Sequence, residues 1–381
     1  MSLLTSTKTS FENKLTDYLN TAKWRVKVAF WGMLIAVLSS FNNFAPLQGF
    51  RDFFKDILRG TEYFAYQDAV NRASNWRKIW VYPAGTGLNN RTFRMTQGFF
   101  VKVFHLYPAT VWLYSIQLVL GFTFFYLIAT FVFRRFADKL AALYLVAGIA
   151  CIYPGTSFFI DYSGYGDFFS YFFLFLAIYF RNPLFIFGAL QCAFWNDERA
   201  VVASGLVFVW WWLVPLYDAN KGLKIIVNKQ LVAVFLAWIA YFGIRYGVLI
   251  HYLGMHDTYT PDEFMINFKA NGIAYGFKYF WSIEGFWFLI FWMYYAMISQ
   301  KDYLRMILIL GASLVILLLG ITIFDTTRST SYVYLVIFLA LVITRKTLTE
   351  KQFRDFLLLI ALLCFLHPLA TKTNAMGMFL M

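Results

Sequence analysis

Long apolar segments recur along the chain and predict a bundle of membrane-spanning helices. From residue 26 onward, apolar runs of about 18 or more residues, enough to cross a hydrocarbon core of about 30 Å, alternate with polar breaks. Three of the predicted spans are short for a full crossing, which is typical of helices that stop midway or line a cavity. The eleven predicted spans are residues 26–45, 106–133, 140–160, 168–180, 184–195, 200–217, 231–252, 283–299, 304–324, 332–344 and 356–372.

The composition supports the same fold class. The chain is 60% hydrophobic and 14% charged, whereas soluble domains average about 45–50% and about 25%. The first apolar run follows about 25 polar residues and has no small-residue cleavage site after it, so it is predicted to be an uncleaved first span. We therefore predict an all-α, polytopic transmembrane protein in which residues 1–381 form one integral domain.

The distribution of basic residues predicts an orientation. The net charge is +13, and most Lys and Arg residues fall in alternate short loops between the predicted spans, the pattern of cytoplasmic loops. This places residues 1–25 in the cytoplasm and the C-terminus outside it, and we expect a bacterial inner membrane. Orientation in the bilayer explains the charge better than binding to nucleic acid, so no nucleic-acid partner is predicted.

One external segment, residues 46–105, is long enough to escape the short-loop charge rule. It contains RDFFKDILRG (51–60), in which apolar and charged residues mix at helical spacing. We predict one or two amphipathic helices that lie on the outer membrane surface. Their apolar face carries Phe53, Phe54, Ile57 and Leu58, and their charged face carries Arg51, Lys55 and Arg59.

The stretch AFWNDERAVV places charged residues between two apolar runs, at the predicted outer end of a short span. Successive helical residues differ by about 100° in direction, so Asp197, Glu198 and Arg199 cannot all avoid lipid without a cavity or a helix break. Charges at membrane depth usually mark substrate or ion pathways. The alternative is an internally neutralised ion pair in a short external turn.

Other polar residues fall on the same predicted side and suggest a polar, outward-opening cavity. Asp161 and Asp167 lie in DYSGYGDFF, where Asp167 would also serve as a helix N-cap. Arg328 lies in DTTRST and would alternatively contact lipid headgroups. The three cysteines lie in apolar stretches without metal-ligand spacing, and we predict no metal or other cofactor.

A family resemblance adds to these observations. The stretch RGTEYFAYQDAVNRA (59–73), followed by VYP (81–83), resembles the first external loop of C-type (GT-C) glycosyltransferases, which are integral enzymes that use polyprenyl-phosphate-linked sugars. The NDER stretch is similar to a short charged cluster of such proteins, but it lacks their His. The positions that carry the loop resemblance are Gly60, Glu62, Tyr66, Ala69, Tyr82 and Pro83.

The resemblance implies transfer of a sugar from a polyprenyl-phosphate-linked donor to a glycan or lipid acceptor outside the cytoplasm. The acceptor hydroxyl must lose its proton, and a carboxylate serves as the base. Glu stands here where Asp is commoner in the family, so the base remains open between Glu62 and Asp68. Arg199 and Arg328 would neutralise the donor phosphate. The residues expected to hold sugar hydroxyls or to orient the arginines are Asp161, Asp167, Asp197 and Glu198.

Two other functions remain as alternatives. A polymerase or ligase of lipid-linked oligosaccharides has a similar number of spans, but its large external loop typically comes late in the chain. A transporter or flippase would use paired broken helices near the midplane, and the short spans at 168–180 and 184–195 would suit such a pair.

Overall fold

The described part of the chain is all-helical. The computed structural model describes residues 2–43, 47–78, 92–256, 274–321 and 326–366. The second half of α12, from Gly243, is a π-helix, and α16 contains a 3₁₀ turn at Ser331–Tyr334. The helices are α1 (Ser2–Leu19), α2 (Trp24–Asn43), α3 (Leu47–Arg59), α4 (Gln67–Ser74), α5 (Thr96–Phe104), α6 (Ala109–Phe136), α7 (Lys139–Cys151), α8 (Tyr153–Ile160), α9 (Asp167–Tyr179), α10 (Pro183–Phe194), α11 (Arg199–Asp218), α12 (Lys229–Tyr252), α13 (Ala274–Ile283), α14 (Phe286–Ser299), α15 (Tyr303–Ile321), α16 (Thr326–Arg345) and α17 (Glu350–Leu366).

The predicted all-α fold with apolar helices that could span a membrane is confirmed, because the described part of every predicted apolar segment is helical. Within the described residues, six helices are long and apolar enough to cross a membrane, namely α2, α6, α11, α12, α15 and α16. A seventh crossing would be formed by α7 and α8 together, which are bent by 64°. Helices α9, α10 and α14 are apolar but shorter, so a count of six or seven follows from helix length.

Side-chain caps fix where several of these helices begin. Asp138 accepts a hydrogen bond from the backbone N–H of Ala141 at 2.9 Å at the start of α7. Asn228 does the same for Leu231 at 2.8 Å at the start of α12. These short polar side chains satisfy backbone donors that have no partner inside the helix.

Helix α16 is the centre of the bundle. Every residue from 326 to 344 is buried, and the helix packs against α11, α13, α14 and α15. Its first turn carries Arg328 and Ser329, so these polar groups are held inside the protein at one end of the bundle. A helix that is apolar all round and enclosed by others is what an apolar sequence such as LVIFLALVIT predicts.

The predicted amphipathic helix exists as α3. Phe53 is fully buried and packs edge-on against Tyr63 and Tyr114, with ring centroids 5.4 and 4.8 Å apart. On the same predicted face, Leu58 is 86% exposed. Contact of α3 with a membrane surface therefore stays a prediction. Tyr82 and Pro83 of the family resemblance lie outside the described residues.

Candidate functional site

Asp167, at the first residue of α9, is the centre of a buried charge network. Its carboxylate accepts hydrogen bonds from Arg199 Nη2 at 3.0 Å and from Arg328 Nε at 2.6 Å. The hydroxyl of Tyr153, at the start of α8, donates a third bond at 3.0 Å. Because Asp167 is fully buried, these partners replace the water that would otherwise solvate its charge. Three separate helices, α8, α11 and α16, are thereby joined to α9.

Asp197, in the turn between α10 and α11, extends the network. Arg199 binds it with two guanidinium nitrogens, and Nε donates to Oδ1 at 2.8 Å. The third guanidinium nitrogen of Arg199 donates to Ser329 Oγ at 2.9 Å. Each nitrogen of the Arg199 side chain therefore has a partner inside the protein. This bidentate geometry is the strong form of an Arg–carboxylate contact.

Arg94, just before α5, reaches the same turn. Its Nη2 lies 3.3 Å from Asp197 Oδ2 and 3.9 Å from Glu198 Oε1. Burial opposes the charge on the Asp197 carboxyl, but Arg199 and Arg94 outweigh burial and hold its pKa below the usual value. Burial also lowers the pKa of Arg94, and Asp197 and Glu198 more than compensate, so the net shift is upward. Asp197 and Arg94 thus both remain charged at neutral pH.

Backbone contacts fix Arg94 beside the turn between α10 and α11, which carries the sequence NDER (196–199) and is called the NDER turn below. The carbonyl of Trp195 accepts hydrogen bonds from the backbone N–H groups of Met95 at 2.6 Å and of Thr96 at 3.1 Å. The Thr96 hydroxyl donates to the carbonyl of Cys192 at 2.9 Å. The end of the long first loop is therefore attached to the α10–α11 turn.

Asp161 shapes the loop that leads into α9. Its two carboxylate oxygens accept the backbone N–H groups of Tyr165 and Asp167, each at 3.0 Å. Gly164 and Gly166 in this loop have φ values of 64° and 73°, a region that side chains rarely adopt. The hydrogen bonds of Asp161 and the two glycines together make the tight turn that points Asp167 at the arginines.

A cleft lies against this network. Its atom-free space is about 270 Å³ when the solvent at its open mouth is counted, and about 10 Å³ can hold the centre of a water-sized group. Asp68 of α4 and Arg94 line the same cleft, so one carboxylate and one guanidinium face a common space. The complete lining is Asp68, Ala69, Arg94, Gln97, Gly164, Tyr165 and Asn196.

The two candidate bases lie in different surroundings. Glu62 accepts hydrogen bonds from the backbone N–H groups of Ala109 at 2.5 Å and Thr110 at 2.9 Å, and from the Thr110 hydroxyl at 2.8 Å. It therefore caps the start of α6, whereas Asp68 lies in the lining of the cleft. Asp68 also lies 3.8 Å from Arg72, one turn further along α4.

The remaining predicted residues gather at one end of the bundle. Arg199, Asp197, Asp167 and Arg328 form the buried network, and Asp161 supports its backbone. Glu198 is partly exposed, with 38% of its side chain accessible, and contributes the outer partner of Arg94. The alternative of an ion pair neutralised within a turn holds in part, since Asp197 and Arg199 bind each other. The expectation that Asp167 is the N-cap is wrong, because the N-cap is Gly166 and Asp167 is the first residue of α9.

Sequence reasoning missed several residues that the fold brings to this site. Arg94 had no apolar context to mark it, because it lies in a polar stretch of the long loop. Tyr165 stacks under the Arg328 guanidinium, 3.7 Å from the ring centroid. A Tyr between two glycines in SGYGD was the one available signal. The missed residues are Arg94, Gln97, Tyr153, Tyr165, Asn196 and Ser329.

The site and the fold define an all-helical protein whose apolar helices are suited to a membrane, with a buried ion network at one end beside a small cleft. Among the described residues, no group of three or more His, Cys, Asp or Glu side chains is arranged to hold a metal ion. Comparisons with protein-family models, with curated proteins and with solved structures found no match.

Proposed function

We propose that the chain is a membrane glycosyltransferase that moves a sugar from a polyprenyl-phosphate-linked donor to a glycan or lipid acceptor on the extracytoplasmic side. The observation that supports it most is that Asp68 and Arg94 face one cleft beside a rigid ion network. A carboxylate and a guanidinium are the two groups that such a transfer requires, one for the acceptor proton and one for the phosphate.

In this proposal Asp68 is the base. The acceptor hydroxyl gives its proton to Asp68 as its oxygen forms a bond to the anomeric carbon. The bond between that carbon and the phosphate oxygen breaks, and its electron pair leaves on the phosphate. Glu62 is the weaker candidate, because its oxygens already accept three hydrogen bonds at the start of α6.

Arg94 is the guanidinium best situated for the donor phosphate, since it lines the cleft, while its Nη2 group is shared with Asp197 and Glu198. Arg199 and Arg328 are bound by Asp167 and Asp197, which favours a positioning role for them. Their direct contact with the phosphate stays a prediction.

The apolar helices suit a donor that arrives from the bilayer. We infer that the short helices α9, α10 and α14 contribute the incomplete crossings of an eleven-span arrangement and that α9 and α10 form a wall of the donor entrance. The bent pair α7–α8 would equally suit the broken helix of a transporter or flippase. Chemical transfer of the sugar, rather than its movement across a membrane, distinguishes these functions.

The test is a transfer assay with purified protein in lipid nanodiscs and a panel of polyprenyl-phosphate sugars and glycan acceptors. Asp68→Asn should lower kcat by about 10²–10⁴-fold, the usual contribution of a general base. Asp52→Asn is the matched control, because Asp52 lies on α3 with half of its side chain exposed and should retain full activity. Full transfer by the Asp68→Asn protein would contradict the proposal, and sugar movement without bond formation would favour the transporter. A product that grows by whole oligosaccharide units would favour the polymerase or ligase.

A further inference from the structure

Gln97, in the first turn of α5, lines the cleft with an uncommitted side chain. Among the residues that the structure describes, no hydrogen bond engages its carboxamide. An amide offers two N–H donors and one oxygen acceptor. These groups are therefore available to a ligand, in contrast to the saturated side chains of the neighbouring ion network.

Gly166 makes room for this amide. A Cβ atom at position 166 would lie 1.7 Å from Gln97 Nε2, far inside contact distance. The φ value of 73° independently favours glycine at this position. The missing side chain thus allows the Gln97 carboxamide to rest directly on the backbone of the loop that carries Asp167.

Asn196 completes the polar wall beside Gly166. Its Nδ2 donates to the carbonyl of Gly166 at 2.7 Å and to Ser170 Oγ at 2.8 Å, which uses both of its N–H groups. The same Cβ position at Gly166 lies 3.0 Å from Asn196 Oδ1. An amide donor from Gln97 and a fixed amide oxygen from Asn196 therefore lie side by side.

Adjacent donors and acceptors match vicinal hydroxyl groups, each of which both gives and accepts a hydrogen bond. Inside the cleft, only about 10 Å³ can hold the centre of a water-sized group, which is about the space that one water molecule needs. Such a space admits a hydroxyl group, and the ring that carries it would lie at the open mouth. The Asp68 carboxylate and the Tyr165 ring lie on the same lining.

We propose that the mouth of this cleft is the subsite for a single sugar ring and that Gln97, seated on Gly166, recognises its hydroxyls and determines which sugar is accepted. The part of this inference that concerns donor preference rests on the proposed function. The part that concerns sugar binding can be tested without a transfer reaction.

The first experiment measures donor preference. Wild type, Gln97→Leu and Gln97→Glu would be assayed with polyprenyl-phosphate donors that carry gluco-, galacto- and manno-configured sugars. Loss of the amide contacts should reduce the ratio of kcat/KM between the best and second donor by about tenfold or more. Gln67→Leu is the matched control, because Gln67 is an exposed residue of α4 that bonds to Asn71 at 3.2 Å. It should leave the ratio unchanged.

The second experiment keeps the inference testable where transfer is absent. Ligand-observed NMR would measure binding of the corresponding methyl glycosides to the protein in nanodiscs, and Gln97→Leu should weaken it whereas Gln67→Leu should not. If Asp68→Asn abolishes transfer but Gln97→Leu and Gln97→Glu leave both donor ratio and binding unchanged, the inference falls and the proposed function stands. If no donor is transferred but binding depends on Gln97, the subsite stands and the proposed function falls. A wild-type protein that binds no glycoside overturns the inference.

Discussion

Replacement of Asp167 with Asn tests whether the buried network determines the fold at this end of the bundle. The carboxylate accepts two guanidinium contacts, at 3.0 and 2.6 Å, and one tyrosine hydroxyl, at 3.0 Å. Asn has almost the same shape, but its NH₂ group would face donors of Arg199 or Arg328. The buried guanidinium of Arg199 or Arg328 would therefore face the NH₂ donor of Asn instead of a carboxylate oxygen.

The expected cost follows from this loss. Removal of one partner from a buried ion pair destabilises proteins by about 3–5 kcal/mol, because the remaining charge is left uncompensated. We expect Asp167→Asn to fall in this range. The matched control is Asp218→Asn, which removes a pair with Arg135 at 2.5 Å where the two side chains are 25% and 41% exposed. Exposed pairs contribute about 0–1 kcal/mol, so this variant should be nearly neutral.

A double-mutant cycle separates the network from a general packing effect. Reversible unfolding in mixed micelles would compare Asp167→Asn, Asp218→Asn, Arg328→Leu and the double variant Arg328→Leu with Asp167→Asn. The buried thiols of Cys151 and Cys364 would report unfolding. The combined variant should cost less than the sum by about 0.5–3 kcal/mol, the range for residues in contact. Additive losses, or equal effects of Asp167→Asn and Asp218→Asn, would refute the reasoning.

Two further predictions concern carboxylates outside this network. Glu62→Ala should reduce stability by about 0.5–2 kcal/mol, the usual value of a lost helix cap, but retain the transfer rate per folded molecule. Unfolding and transfer assays on the same preparation check this. A loss of kcat without a loss of stability would point to Glu62 as the base. Glu284 is fully buried, and among the described residues neither of its carboxylate oxygens has a hydrogen-bond partner. Glu284→Gln should therefore leave the free energy of unfolding unchanged or raise it, whereas a loss of more than about 2 kcal/mol would show that a charged partner had been removed.

The positions of the helices follow largely from the sequence. Apolar runs such as SFFI (157–160) and FFSYFFLFLAIY (168–179) contain no charged residue, so a buried helix is the expected state for them. The limits of the predicted spans agree with α6, α9, α10 and α11 to within a few residues. Helix length, however, supports six or seven crossings, because apolar composition does not determine whether a short helix spans or stops within the membrane.

The site was only half predictable for a physical reason. Asp197 and Arg199 stand out because charges are rare in apolar surroundings, and Asp167 follows from its place before an apolar helix. Arg94 lies about one hundred residues earlier in a polar loop, where an Arg is common and does not indicate a functional site. The hydrogen bonds of Met95 and Thr96 to Trp195 and Cys192 bring it to Asp197. No local pattern encodes such a long-range contact.

Some polar groups at this site are hydrogen-bonded inside the protein, and others are available to a ligand. This difference explains why the network and the cleft are adjacent. Arg199 and Asp167 have their hydrogen-bonding groups engaged inside the protein, so they cannot rearrange cheaply when a ligand arrives. They hold the Gly166 loop and the NDER turn at fixed positions. Gln97 rests on the Gly166 loop, and Arg94 is attached to the NDER turn. A polar site whose supporting charges are already neutralised can bind a substrate without the cost of reorganising its wall. This is the physical reason to seek substrate contacts at Gln97 and Arg94 and structural effects at Asp167 and Arg199.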